Sequence, residues 1–304
     1  MKRKIVRQGG DSLTVSLPIK WVREQGLKAG QELKVIERGS SLVMQSPKSH
    51  PEEVEISVDD NLENMKSQLI SFYIAGVDKI KINFNQPYVN DNIPIEKAVK
   101  NVISKYLHGM RIDDRDDNYY VLTGYFETNP DSLNKALRNC LKIVLESSTR
   151  CSEILQKNDE RVLSKIIELN EDVKQFCFYA LRLLHKNAPV DFNHAIALKG
   201  VIKDISEISN LLRHMAKHYS GTKRKKEVIN AVEKVGELLE AMYNAYYNMA
   251  NVNEFFTKSQ ELRDNLNQST VEKEIKENIF MIKHLATDLV RQSLIINFKN
   301  KPSC

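Results

Sequence analysis

Cysteine is scarce in this 304-residue chain: Cys140, Cys151, Cys177 and Cys304 form no CxxC pair and no dense framework. A disulfide-stapled fold is therefore excluded, and reduced thiols in a cytoplasm are expected. Glycine and proline are also few, 11 and 8 residues, which excludes a collagenous, linker-rich or mainly disordered chain. No apolar run approaches the ~18 residues of a membrane span, so no membrane insertion is expected. The opening MKRKIVRQGG has basic residues but no apolar core behind them, so it does not read as a secretory signal. The chain also contains no G-x-S-x-G, HExxH, P-loop or GxGxxG motif, and no enzyme is expected.

What is present is a balance of 41% hydrophobic and 28% charged residues, as in chains that bury a core. The length suggests two domains, or three if one is small. The net charge of +5 is unevenly placed: residues 1–48 hold ten Lys/Arg against four Asp/Glu, or +6, and the rest hold 35 against 36, or −1. A basic head on a neutral body points to contact with nucleic acid or another anionic surface at that end.

The first segment ends near Ser46-Pro47. Leu13, Val15 and Leu17 alternate with Ser12, Thr14 and Ser16, the pattern of a half-buried strand. Pro18 stops it, Lys20 to Gln25 reads as a short helical turn closed by Gly26, and Arg38-Gly39-Ser40-Ser41 is a turn before the strand Leu42-Val43-Met44. Fewer than 50 residues bury a core poorly, so a second chain is expected to complete this unit. Residues 51–128 read as a small α/β connector: strands at Val54 to Val58, Ile80 to Phe84 and Tyr119 to Phe126, with helices over 60–75 and 94–108. From residue 129 to 300 the chain is helical, with helices over about 131–156, 158–187, 191–218, 225–250, 253–267 and 270–297. Val162, Ile166, Leu169, Val173, Phe176 and Ala180 form a bundle stripe. Breaks fall at Asn187 to Val190 and at Ser220-Gly221-Thr222, the latter separating 129–219 from 223–300. Ser269-Thr270-Val271-Glu272 has the form of a capping box. The fold class is thus mainly α, with an N-terminal β module, an α/β connector and a pair of antiparallel three-helix bundles.

The stretch from Gly9-Gly10-Asp11-Ser12-Leu13 through Thr14-Val15-Ser16-Leu17-Pro18, Lys20 and Gly26-Leu27-Lys28-x-Gly30-x-x-Leu33 resembles the swapped-hairpin DNA-binding module of the AbrB/MazE type. The resemblance implies a dimer in which two chains interleave their hairpins, and a role on DNA. Beside it stands a physical reading. Lys2, Arg3, Lys4, Arg7, Lys20 and Arg23, doubled by two-fold symmetry, would neutralise phosphates. Ser12, Thr14 and Ser16 would add hydrogen bonds to backbone or base edges.

Residues 158–184, NDERVLSKIIELNEDVKQFCFYALRLL, and 279–294, IFMIKHLATDLVRQSL, resemble the two halves of a PhoU protein. Together with LISFYIAGVDKIKI in the connector, the whole order resembles archaeal PhoU-domain regulators. That resemblance implies six long helices and a role in regulating phosphate uptake. Proteins of this family often carry E/D-x-x-x-D motifs that hold metal clusters, since carboxylates four apart share a helix face. Glu168-x-x-x-Asp172 keeps the pattern, but the later positions read Lys203-x-x-x-Glu207 and Phe280-x-x-x-His284. Glu168 and Asp172 are therefore retained only as a candidate pair for a divalent or iron-type metal, with a solvated acidic pair as the alternative, and no cofactor is assigned.

His214 and His218 have chelating spacing but no evident third ligand, and read as surface histidines. Lys223-Arg224-Lys225-Lys226 reads as a solvated basic linker, the first three cysteines as small core residues, and Asp113-Asp114-Arg115-Asp116-Asp117 as a solvated turn. The functional expectation is a cytoplasmic, homodimeric or higher-order transcription regulator of phosphate uptake, binding DNA through its N-terminal module. The alternative is a signalling adaptor that docks on a phosphate transporter or kinase without binding DNA.

Overall fold

The computed structural model describes residues 2–10, 12–38, 41–46, 53–58, 61–89, 93–125, 131–157, 159–187, 192–219 and 226–298. The chain divides into two units, residues 1–52 and 53–304.

In the first unit, β1 (Ile5–Arg7) pairs antiparallel with β2 (Leu13–Val15), placing Ile5 opposite Val15 and Arg7 opposite Leu13. The short helix α1 (Ile19–Glu24) starts after Pro18, whose fixed φ of −63° suits a helix entry. Hairpin β3 (Lys34–Arg38) and β4 (Ser41–Gln45) completes it. The half-buried strand expected over 12–17 is instead the three-residue β2, and its partner β1 lies in the basic opening. Both strands are exposed along their length.

The second unit opens with β5 (Glu53–Val58), α2 (Leu62–Ala75) and β6 (Lys79–Phe84), followed by the short pair β7 (Tyr88–Val89) and β8 (Ile93–Pro94). Then come α3 (Ile95–Tyr106), β9 (Met110–Asp116) and β10 (Tyr119–Gly124). The sheet order is β5-β6-β10-β9, parallel between β5 and β6 and antiparallel elsewhere. Alternation in β6 sends Ile80, Ile82 and Phe84 into one hydrophobic cluster with Met65, Leu69 and Tyr73 of α2 and Val99 of α3. Lys79 and Lys81, at the alternate positions, pair with Glu53 and Glu55 of β5 at 3.1 and 3.2 Å. The acidic run from Asp113 to Asp116 is a strand, not a turn. It pairs with β10, and Asp113 accepts hydrogen bonds from Thr123 and Tyr125 at 3.2 and 2.7 Å. Cross-strand partners override the weak strand propensity of aspartate.

Among the described residues six long helices follow: α4 (Ser132–Lys157), α5 (Glu160–Asn187), α6 (Phe192–Tyr219), α7 (Lys226–Tyr247), α8 (Val252–Gln268) and α9 (Lys273–Phe298). The two sets of three share one core, because α4 packs on α7 as well as on α5 and α6, and α9 on α6 and α7. The fold is mainly α with a β module at its N-terminus. The capping box does not form: α9 begins at Lys273, and the Ser269 hydroxyl donates to the Leu266 carbonyl of the preceding helix at 2.9 Å. The interruptions expected at 188–190 and 220–222 lie outside the described residues.

A buried polar cluster helps tie the sheet part to the bundle. Helix α2 ends at Gly76, whose φ of 100° requires a residue without a side chain and whose missing Cβ leaves room for the Lys186 stem. Arg182 of α5, only 1% exposed, reaches this end. Its guanidinium donates to the Tyr73 and Val77 carbonyls at 2.8 and 2.7 Å and to Asp78 at 2.7 Å. The same guanidinium lies 5.0 Å from the Tyr73 ring centroid. His185 Nδ1 donates to the Ile74 carbonyl at 2.6 Å, and Lys186 pairs with Asp78. Carbonyls that end a helix carry partial negative charge and lack helical partners, so Arg182 and His185 satisfy them while Lys186 adds charge beside Asp78.

Between α6 and α9, Gln292 donates to Asp204 at 3.0 Å. Burial pushes the Asp204 carboxyl up to about 6, with help from nearby Asp288. The folded state therefore holds this proton more tightly than the unfolded chain does. Its contribution is fully present below the ordinary value of 3.8 and is lost as pH rises to about 6. Asp204→Asn should raise stability at pH 7 by about 1–3 kcal/mol and flatten the decline between pH 4 and 6. Urea unfolding of the two proteins at three pH values checks this, and an unchanged pH profile would count against it.

Candidate nucleic-acid interface

Two features coincide in the N-terminal unit. The first is uncovered apolar surface: Ile5, Leu13 and Leu42 are 68%, 67% and 61% exposed, Val6, Ile19 and Val35 are exposed as well, and no described residue from 2 to 46 is buried. Strands of this composition normally face a core. The second is the cationic set, and the hairpin explains its placement. β1 carries Arg7 at its end and follows Lys2, Arg3 and Lys4, so the basic opening is held beside β2. Arg3 donates to the Ser16 hydroxyl at 3.4 Å, and Arg7 Nε to the Gly10 carbonyl at 3.1 Å within the β1–β2 turn. Thr14 spends its hydroxyl proton on the Val6 carbonyl of the facing strand at 3.2 Å, which leaves its oxygen lone pairs. Lys20 and Arg23 lie three apart on α1 and so share a face; Lys20 is 3.9 Å from Glu24. All nine expected contact residues are exposed. Arg3 and Ser16 are brought together; Lys20 and Arg23 form a separate pair on the helix.

The metal candidates fare differently. Glu168 pairs with Lys165 at 3.2 Å, and Asp172 is exposed, its carboxyl held above the usual carboxylate range by partial desolvation and by Glu168 and Glu171 nearby. Glu207 accepts from Asn210 at 3.3 Å, and His284 pairs with Asp288 at 3.6 Å. No group of three or more His, Cys, Asp or Glu stands together among the described residues. With Lys203 and Phe280 in place of acids, the donor set does not fit a metal cluster. His214 and His218 stack at 4.1 Å between centroids, with His214 Nδ1 buried and without a partner. Cys140, Cys151 and Cys177 are buried, with Cys140 and Cys177 sulfurs 3.8 Å apart and burial pushing the Cys151 thiol up to about 12. Such thiols are inert packing groups. Lys226 is the first residue of α7, while residues 223–225 and Cys304 lie outside the described residues.

A basic β module joined to a six-helix bundle defines a mainly helical protein with a small N-terminal domain of the interaction type. Residues 6–53 match the family model described as antidote-toxin recognition MazE, bacterial antitoxin, so the N-terminal domain is MazE/AbrB-like and points to DNA-binding or antitoxin-like regulation. No curated protein and no solved structure matches the chain. Among the described residues, no helix is long and apolar enough to cross a membrane.

Proposed function

We propose that this protein is a DNA-binding transcription regulator of phosphate uptake, acting by binding rather than catalysis. Two N-terminal domains interleave into a dimer on promoter DNA, and the PhoU-like helices sense or relay phosphate status. The observation that carries the DNA part is the joint exposure of apolar strands and basic residues in one MazE-like domain. A second copy covers the strands, and pairing doubles the cationic set. The phosphate part is supported by the resemblance of residues 158–184 and 279–294 to PhoU halves.

Fluorescence anisotropy against promoter DNA of phosphate-transport genes tests the reading. Affinity should fall linearly in log–log form with salt, since each neutralised phosphate contributes about 0.9 to the slope. Arg7→Ala with Lys20→Ala removes four cations per dimer and should reduce that slope by roughly 3.6. No binding at low salt, or an unchanged slope in the double variant, would favour an adaptor that docks on a transporter or kinase.

A further inference from the structure

Several cations on α5 or facing it are matched to carboxylates. Lys105 meets Glu171 at 2.7 Å, Lys165 meets Glu168 at 3.2 Å, and Arg182 meets Asp78 at 2.7 Å. Lys174 of α5 and Arg213 of α6 are exceptions. Both are partly buried, neither has a hydrogen-bond or ion-pair partner among the described residues, and the Arg213 Nε is buried with no acceptor. A buried donor without a partner is costly, and an unpaired charge more so.

The packing of α5 on α6 brings the two residues toward one place. α5 and α6 run antiparallel, with the Cys177 thiol facing the Ile202 carbonyl at 3.7 Å and Asn170 donating to Ser209 and Asn210 at 2.9 and 3.2 Å. A helical side chain leans toward the N-terminus of its own helix. Lys174 therefore leans back toward the level of Asn170, and Arg213 toward that of Ser209 and Asn210. Asn170 bridges those levels, so the two cations approach one place from opposite directions. Burial holds the Lys174 ammonium below the ordinary lysine range, and Arg213 and Lys66 push it further down against partial relief from Glu171 and Glu207. Those neighbours are otherwise engaged: Glu171 with Lys105, Glu207 with Asn210, and Lys66 with Glu63 at 3.4 Å. Glu207 is held through a neutral amide, so its carboxylate offsets part of the charge and the pair keeps a net positive balance.

We propose that Lys174 and Arg213 form a binding site for a tetrahedral oxyanion of the phosphate class, as inorganic phosphate or a small phosphate monoester. An oxyanion complements that net positive charge. Arginine supplies a planar fork suited to phosphate oxygens, and lysine a mobile point charge. The site lies wholly within the second unit. Its use as an effector site rests on the regulatory reading above; the binding itself does not.

Isothermal titration of the full chain with sodium phosphate and with phenyl phosphate, at ionic strength fixed by chloride, tests this. Saturable binding of one anion per chain is expected, weakened roughly tenfold or more in Lys174→Met and in Arg213→Met. Lys165→Met, which removes an already paired cation of the same helix, should bind as the parent does. Without phosphate, Lys174→Met should melt higher than the parent, because a half-buried charge with no ion-pair partner has gone, and added phosphate should no longer raise its Tm. Tighter binding of phosphate than of its ester identifies the free ion, and the reverse order a phosphorylated metabolite. Heats no different from chloride, or full affinity in Lys174→Met, overturn the proposal. Promoter binding is measured separately, so failure of either reading leaves the other standing.

Discussion

Replacing Arg182 with methionine should lower the unfolding free energy by about 3–5 kcal/mol, a loss typical of breaking a buried charge pair by removing one member. Methionine keeps the apolar stem and removes the guanidinium. The Tyr73 and Val77 carbonyls then lose their donors at the end of α2, in a region too enclosed for water to replace them freely. Asp78→Asn should cost less, about 1–2 kcal/mol, because the two carbonyl bonds survive. Arg182→Lys should recover little of the loss, since one ammonium cannot span two carbonyls and a carboxylate in a planar fork. Urea unfolding followed by far-UV circular dichroism measures all three. A loss below about 1 kcal/mol in Arg182→Met would show that the contact between α5 and α2 contributes little.

The second large effect concerns the N-terminal domain. Leu13 is 67% exposed in the single chain, where a polar substitution normally changes stability by no more than about 0.5 kcal/mol. In an interleaved dimer the same side chain is buried, and a charge there would cost several kcal/mol. Leu13→Asp should therefore abolish dimer formation in sedimentation velocity while leaving helical content unchanged. DNA affinity should drop by roughly a hundredfold or more, because two linked half-site contacts become independent. A variant as dimeric as the parent would sink the interleaved arrangement. The Arg7/Lys20 double variant makes the opposite prediction, weak DNA binding by an intact dimer, so the two separate assembly from phosphate contact.

Much of this architecture was legible because helix formation is written locally. The stripe from Val162 to Ala180 specifies α5 with no knowledge of its partners, and the expected helix over 60–75 is found as Leu62–Ala75, ended at the expected Gly76. Short or competing signals were misread. Strand β1 has three residues and gives too brief an alternation to recognise. The aspartates of β9 read as a turn because Thr123 and Tyr125, the cross-strand partners that hold Asp113, come ten and twelve residues later. At residue 269 two local patterns competed, and the end of α8 took the serine that a capping box would have used.

The sequence by itself determined the basic head, the run of helices and the nine residues expected on DNA, since each depends only on composition, spacing and charge along the chain. Which charges are matched was decided by tertiary structure alone. Arg182 meets carbonyls more than a hundred residues away, while Lys174 and Arg213 on neighbouring helices form no ion pair among the described residues. Charge balance in a folded protein is a property of distances in space, and a linear chain does not encode those distances until its core has packed.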